Sequence, residues 1–170
     1  MNFRMAEIGD LPQIKEVYTN IIEKMNENNI QIWDDIYPCE FFIEDIEKGR
    51  LYILEDHNKI VSAFALCDYN DGAGHVEWEN NHAKALYIDR LGVNIDYSRR
   101  GIASIMLGKA AKIAQEKNTE YLRLFVVDIN KPAINLYIKN GFKKAIGVYD
   151  EVIDEEFTLH EYGFEINTGR

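Results

Sequence analysis

The run Ser98-Arg99-Arg100-Gly101-Ile102-Ala103-Ser104 sets two guanidinium groups and a glycine where an apolar strand gives way to a helix. Backbone N–H groups at a helix start lack intrahelical acceptors, and the helix dipole adds partial positive charge to the same spot. Such a turn suits a phosphate, and Arg99 and Arg100 bring mobile positive charge beside it. The competing reading is a solvated basic connection between strand and helix. His75, Glu77, Glu79 and His82 imitate a metal cluster, but their spacing matches no specific site, and no metal is expected. Cys39 and Cys67 stand singly, outside any CxxC spacing, which argues against zinc and against disulfide staples.

The elements that must position the turn follow from periodicity. Leu86 to Val93 is rich in strand formers, and from about Arg100 to Lys117 apolar residues recur at helical spacing through Ile102, Ile105, Met106, Ala110 and Ile113. Upstream, Asn2 to Met5 reads as a short strand. Asp10-Leu11-Pro12-Gln13 reads as a capped helix start whose apolar face runs through Ile14, Val17, Tyr18 and Ile21. A second helix spans about Cys39 to Glu47. Leu51–Leu54 and Ile60–Leu66 pair around a turn at Asp56–Lys59, and Asn70–Gly74 is a further turn. After the long helix come a strand over Glu120–Val127 and a short helix opened by Pro132 and closed at Asn140-Gly141. Phe142–Val148 and Glu156–Tyr162 suggest a final hairpin. Only some crossovers are helical, so the fold class is α/β with a mixed sheet covered by helices.

The 170 residues suit one domain, expected over 1–170, which would bury roughly 70% of its unfolded surface. With 46% hydrophobic and 28% charged residues the composition is that of a soluble globular protein, and no apolar run reaches the ~20 residues of a membrane span. No secretory signal opens the chain, so a reducing, cytoplasmic setting is expected. The net charge of −10 argues against a nucleic-acid partner and is compatible with a cationic acceptor such as an amine.

A second segment, Asn130-Lys131-Pro132-Ala133-Ile134-Asn135-Leu136-Tyr137-Ile138-Lys139-Asn140-Gly141-Phe142, follows the basic turn by one helix and one strand. The ordered pair closely resembles the GNAT superfamily of acetyl-CoA-dependent N-acetyltransferases. Its turn has the form [QR]-x-x-G-x-[GA], and its later motif N-x-x-A-x-x-L-Y-x-x-x-G-F is matched at Asn130, Ala133, Leu136, Tyr137, Gly141 and Phe142. Two positions depart: Ser98 stands at the usual Gln or Arg, and Ile95 where proline is frequent. Backbone N–H donation is untouched by the exchange, but one long polar side chain is lost. Gln31, Trp33, Tyr37-Pro38 and Trp78 resemble one bacterial branch, with core packing and lining of an acceptor pocket both open for the aromatics.

The resemblance implies a mixed, mostly antiparallel sheet of about seven strands with a splayed pair and about four helices. It implies direct attack of a neutral amine on acetyl-CoA, the cosubstrate. Unpaired backbone groups at Leu91 and Val93 would hold the pantetheine arm, with a bulge at Gly92, and the amides of Ser98, Arg99, Arg100, Gly101, Ile102, Ala103 and Ser104 would hold the pyrophosphate. Asn130 would anchor the arm or cap its helix. Tyr137 would be the general acid, since a phenol of pKa near 10 keeps its proton at neutral pH and can pass it to the departing thiolate. An alkylammonium of pKa near 10.4 needs a base, for which Glu77, Glu79 and Asp89 are candidates. A non-catalytic acyl-CoA-binding module and a transferase of longer acyl groups are the alternatives, and monomer and homodimer are both open.

Overall fold

The computed structural model describes residues 1–169. Among the described residues eight strands form a mixed sheet, with four α-helices. The chain divides into two compact units, Met1–Leu66 with Arg90–Met106, and Cys67–Asp89 with the residues from Leu107 onward.

In the first unit β1 (Asn2–Met5), β2 (Leu51–Asp56) and β3 (Lys59–Cys67) pair antiparallel in that order. The β2–β3 turn places His57 and Asn58 at φ 48 and 65, the left-handed pair that matches the twist of a tight hairpin. Helix α1 (Leu11–Glu27) buries Ile14, Val17, Tyr18, Ile21 and Ile22, the face its spacing predicts. The expected cap is different. The Asp10 side chain does not cap α1; it accepts from the Glu7 amide at 2.7 Å, closing a 3-10 turn over Ile8–Asp10, and takes a bidentate pair from Arg4. Gln13, freed from a capping box, donates to the Asn58 carbonyl at 3.2 Å and accepts from the Ile60 amide. Helix α2 is shorter than expected, Phe42–Glu47, after a 3-10 turn over Cys39–Phe41.

Strand β4 (Ala85–Val93) and helix α3 (Ile102–Glu116) each begin or end where the expected elements do, within two residues. In the second unit β5 (Tyr121–Val127) pairs parallel with β4 over Ala85–Ile88 and antiparallel with β8 (Thr158–Asn167) over all seven of its residues. Helix α4 is Lys131–Lys139. The last hairpin is broken where a continuous one is expected. Strand β6 is only Lys143–Lys144, Ile146 bridges to Glu77, Gly147 takes φ 97, and β7 (Tyr149–Val152) then resumes pairing with β8. Capture of Ile146 by Glu77 is what interrupts the strand, and it also fixes the otherwise irregular stretch after Asn70.

Candidate active site

In the first unit the C-terminal half of β4 is anchored from three sides. The fully buried Tyr18 hydroxyl donates to the Ala63 carbonyl at 3.1 Å and to the Arg90 carbonyl, while Ser62 Oγ donates to the Gly92 carbonyl at 2.6 Å. Asn94 ends the strand by donating its amide N–H to the Val61 carbonyl at 2.8 Å and its side chain to Ile60 at 3.0 Å. The left-handed residue of this strand is Arg90 (φ 58), and Gly92, where the bulge is expected, has no positive φ of its own. Gly92 is needed for another reason: a Cβ there would lie 2.8 Å from Tyr18 Cζ. Arg90 adopts its costly conformation because both ends are held. Its carbonyl meets Tyr18, and its guanidinium donates to both oxygens of Asp45, a residue with no solvent exposure that also binds Arg50 at 2.7 Å. Leu91 and Val93 flank Gly92 and are half-buried.

Beyond Asn94 a 3-10 turn over Ile95–Tyr97 leads into Ser98, which is extended (φ −63, ψ 152). Arg99 (φ 60) and Gly101 (φ 73) are both left-handed, so the chain doubles back before α3 starts at Ile102. Successive amides in such a turn, followed by a helix N-terminus, converge on one concavity that suits an anion. Beyond its chain neighbours nothing lies within 4 Å of a Cβ built on Gly101, so that side of the turn is unfilled, and a helix start flanked by two exposed arginines has the donors and charge that fit a pyrophosphate. Ala103 and Ser104 lie in the first turn of α3. Arg99 is exposed, and Arg100 lies with its guanidinium 5.0 Å from the Tyr97 ring centre, which steadies one of the two cations without neutralising it.

In the second unit Asn130 caps α4: its side chain accepts from the Ala133 amide at 3.3 Å, and Pro132 occupies the first turn. This fixes the rotation of α4 and buries Tyr137, 9% exposed, against Phe142 and Phe164 at ring distances of 6.0 and 6.1 Å. Burial pushes the phenol up to about 12. Its hydroxyl has no hydrogen-bond partner among the described residues.

The acids expected near β4 separate. Glu77 and Glu79 have exposed side chains in the stretch before β4, and the Glu79 amide is held by Glu165 at 2.8 Å. Asp89 is half-buried, one residue past the last β4–β5 pair, and accepts from Asn70 at 3.0 Å. Trp78 is a core residue: it packs with Val76, Tyr87 and Ala145, and its ring fills the space above Gly163, where a Cβ would meet it at 2.8 Å. Arg123, with Trp78 on one side at 4.4 Å, pairs with the buried Glu165 and donates to the Asn80 carbonyl. Trp33 stacks on Tyr18, and Tyr37 meets Phe41 edge to face.

Sequence reasoning passed over Glu161 of β8. One of its carboxylate oxygens is buried with no hydrogen-bond partner, and the group is pushed up to about 9, first by burial and then by Glu151 and Asp89. The signal available was the alternation Leu159, Glu161, Gly163, Glu165, which puts acids on the face of β8 that also carries small and apolar residues.

Residues 16–142 match the model of the acetyltransferase (GNAT) family. The chain belongs to that family and is an acetyl-transferring acyltransferase. It is 27% identical over 148 residues to YwnH of Bacillus subtilis (strain 168), described as a candidate phosphinothricin acetyltransferase, covering 84% of this chain and 83% of that one. It is 26% identical to the N-alpha-acetyltransferase of Sulfurisphaera tokodaii, covering 85% and 88%. The crystal structure of a candidate acetyltransferase from Staphylococcus aureus Mu50 superposes with a TM-score of 0.73 at 25% identity, over 99% of both chains. Among the described residues no helix is long and apolar enough to cross a membrane.

Proposed function

We propose that this protein transfers the acetyl group of acetyl-CoA directly to a primary amine of a small molecule or peptide. The observation that carries the reading is the open left-handed turn Arg99–Gly101 at the mouth of α3. Its amides and those of Ile102, Ala103 and Ser104 would receive the pyrophosphate, with Arg99 and Arg100 screening its charge. Backbone groups of Leu91 and Val93 would hold the pantetheine amides. The donor supplies an activated acyl carbon, and every other requirement falls on the chain.

Tyr137 is the proton source for the departing sulfur. A phenol raised to about 12 stays protonated throughout the physiological range, and a thiolate formed in the same dry surroundings is raised in the same direction. Its unengaged hydroxyl is available to donate. Asn130 contributes by setting the rotation of α4. Asp89 and Glu79 supply negative charge on the acceptor side, which favours an amine that arrives as an ammonium ion.

The test is release of free thiol from acetyl-CoA across a panel of alkylamines, amino-acid amides and short peptides. Turnover with at least one of them is expected. Tight acetyl-CoA binding without thiol release on the whole panel would favour a non-catalytic binding module, and preference for propionyl- or succinyl-CoA would favour a longer acyl group.

A further inference from the structure

One face of the second unit's sheet carries a buried carboxylate oxygen, Glu161 Oε2, with no hydrogen-bond partner among the described residues. Direct pairing of Glu161 with Val127 on β5 and with Tyr149 on β7 puts the three side chains on one face. Glu151 opposes Leu159, so it lies diagonally beside Glu161 on that face. Tyr87 opposes Arg123 on the same face, and two residues on comes Asp89, just past the end of the β4–β5 ladder. Three carboxyl groups therefore gather at one place, beside the rings of Tyr149 and Phe125, whose centres are 5.9 Å apart. Gly72 brings the preceding turn down onto those rings, where a Cβ would meet both within 2.8 Å.

A structural carboxylate in such a position is normally paired with a cation or with backbone amides. Here one Glu161 oxygen is sealed from solvent with no hydrogen-bond donor among the described residues, while the residue as a whole is only partly buried. An orphaned buried acceptor of this kind is rare, and it is satisfied when a donor is brought in. Glutamine would serve a packing role better, since it carries no charge to bury.

We propose that Glu161, flanked by Glu151 and Asp89, is the acceptor-side catalytic base, receiving the ammonium group of the acceptor and taking its proton. The inference rests on the transfer reaction proposed above. Burial first, and then the hydrogen bond and charge of Glu151 beside it, push Glu161 up to about 9, so that in the resting protein Glu161 holds a proton. Entry of R–NH3+ displaces that proton to solvent and leaves two carboxylates around one cation, with the aromatic faces of Tyr149 and Phe125 completing the enclosure. The nitrogen then gives one proton to Glu161. Its freed electron pair forms the C–N bond as the C–S bond breaks, and its second proton ends on the sulfur with Tyr137 as relay. Tyr137 packs on Phe164, whose side chain is on the opposite face of β8 from Glu161, so the proton source for the leaving group and the base for the nucleophile serve the two sides of the same strands. The groups that face Glu161 are Glu151 and Tyr149 of β7 and Asp89 of β4, with Asp71 beside Tyr149.

The experiment compares native protein with Glu161→Gln on two classes of acceptor, alkylamines such as n-butylamine and aniline, whose nitrogen is already neutral at pH 7. The variant should lose about 100-fold or more in kcat/KM on alkylamines and only a few-fold on aniline. Acetyl-CoA affinity measured by calorimetry should be unchanged. The pH profile of the native enzyme on an alkylamine should level off well below that of the variant, which should keep rising toward the amine's own pKa of about 10.4. Equal losses on both acceptor classes, or parallel pH profiles, would overturn the role of Glu161 while leaving the transferase reading intact. Failure of the native protein to release thiol with any amine would overturn both.

Discussion

Gly92→Ala probes whether the donor-side strand is as tightly seated as its contacts imply. An added Cβ would lie 2.8 Å from Tyr18 Cζ and 2.9 Å from Ile21 Cδ1, about 1 Å inside ordinary carbon–carbon contact. Neither neighbour is a free end. Tyr18 is fully buried and its hydroxyl is committed to the Ala63 and Arg90 carbonyls, so the ring cannot swing away without loosening one of them. Overpacking costs about 1–3 kcal/mol and a weakened buried hydrogen bond about 1 kcal/mol more, giving a loss of roughly 2–4 kcal/mol. For a chain of this size that lowers the melting temperature by roughly 5–15 °C. Gly108→Ala in α3 is the control with the opposite sign. Nothing lies within 4 Å of its Cβ position, and replacing an exposed helical glycine stabilises by about 0.5–1 kcal/mol. Thermal and urea melts of the two variants, read at unchanged m-value, decide the matter. A Gly92→Ala protein melting within about 2 °C of the native one would refute the reasoning, as would a Gly108→Ala protein destabilised to the same degree.

Tyr137→Phe should lower kcat by about 100-fold with acetyl-CoA affinity and melting temperature near native, and undiminished turnover would remove the phenol from the chemistry. Arg123→Met leaves Glu165 buried and unpaired and should cost about 3–5 kcal/mol by urea denaturation, whereas a double replacement by Met and Gln should recover a large part of that loss. Asp10 is held below the ordinary carboxylate range, chiefly by its hydrogen bonds from Arg4, so its contribution is present above pH ~4 and fades as pH falls through the lower folded value. Urea midpoints between about pH 2 and 6 should fall less steeply in Arg4→Met than in native protein, and identical slopes would count against that pair.

The turn and the two helices that bear the candidate chemistry were legible because their signals are local. Gly101 marks a left-handed residue, Asn130 and Pro132 mark a helix start, and Tyr137 follows one and a half turns later. The features that escaped are set by residues far away in the chain. Arg90 is left-handed because Tyr18 and Asp45 hold it, and no nearby residue announces that. Trp78 could not be told from a pocket residue until Gly163 was found beneath its ring. Asp10 looked like a cap for α1 because Arg4 and Glu7, which claim it, lie before the pattern that a capping box scans. Glu161 was invisible for a similar reason: its isolation from donors exists only once β5, β7 and β8 are side by side.

The grip of Asp45 on Arg90 has a bearing on how such a catalyst can be retuned. The pitch of the strand that would present Leu91 and Val93 is governed by the six-residue helix α2 and by one tyrosine of the first long helix, neither assigned any contact with a reactant. Changes in those remote supports would alter donor affinity while every residue at the point of chemistry stayed the same, giving evolution a dial set apart from the reaction itself.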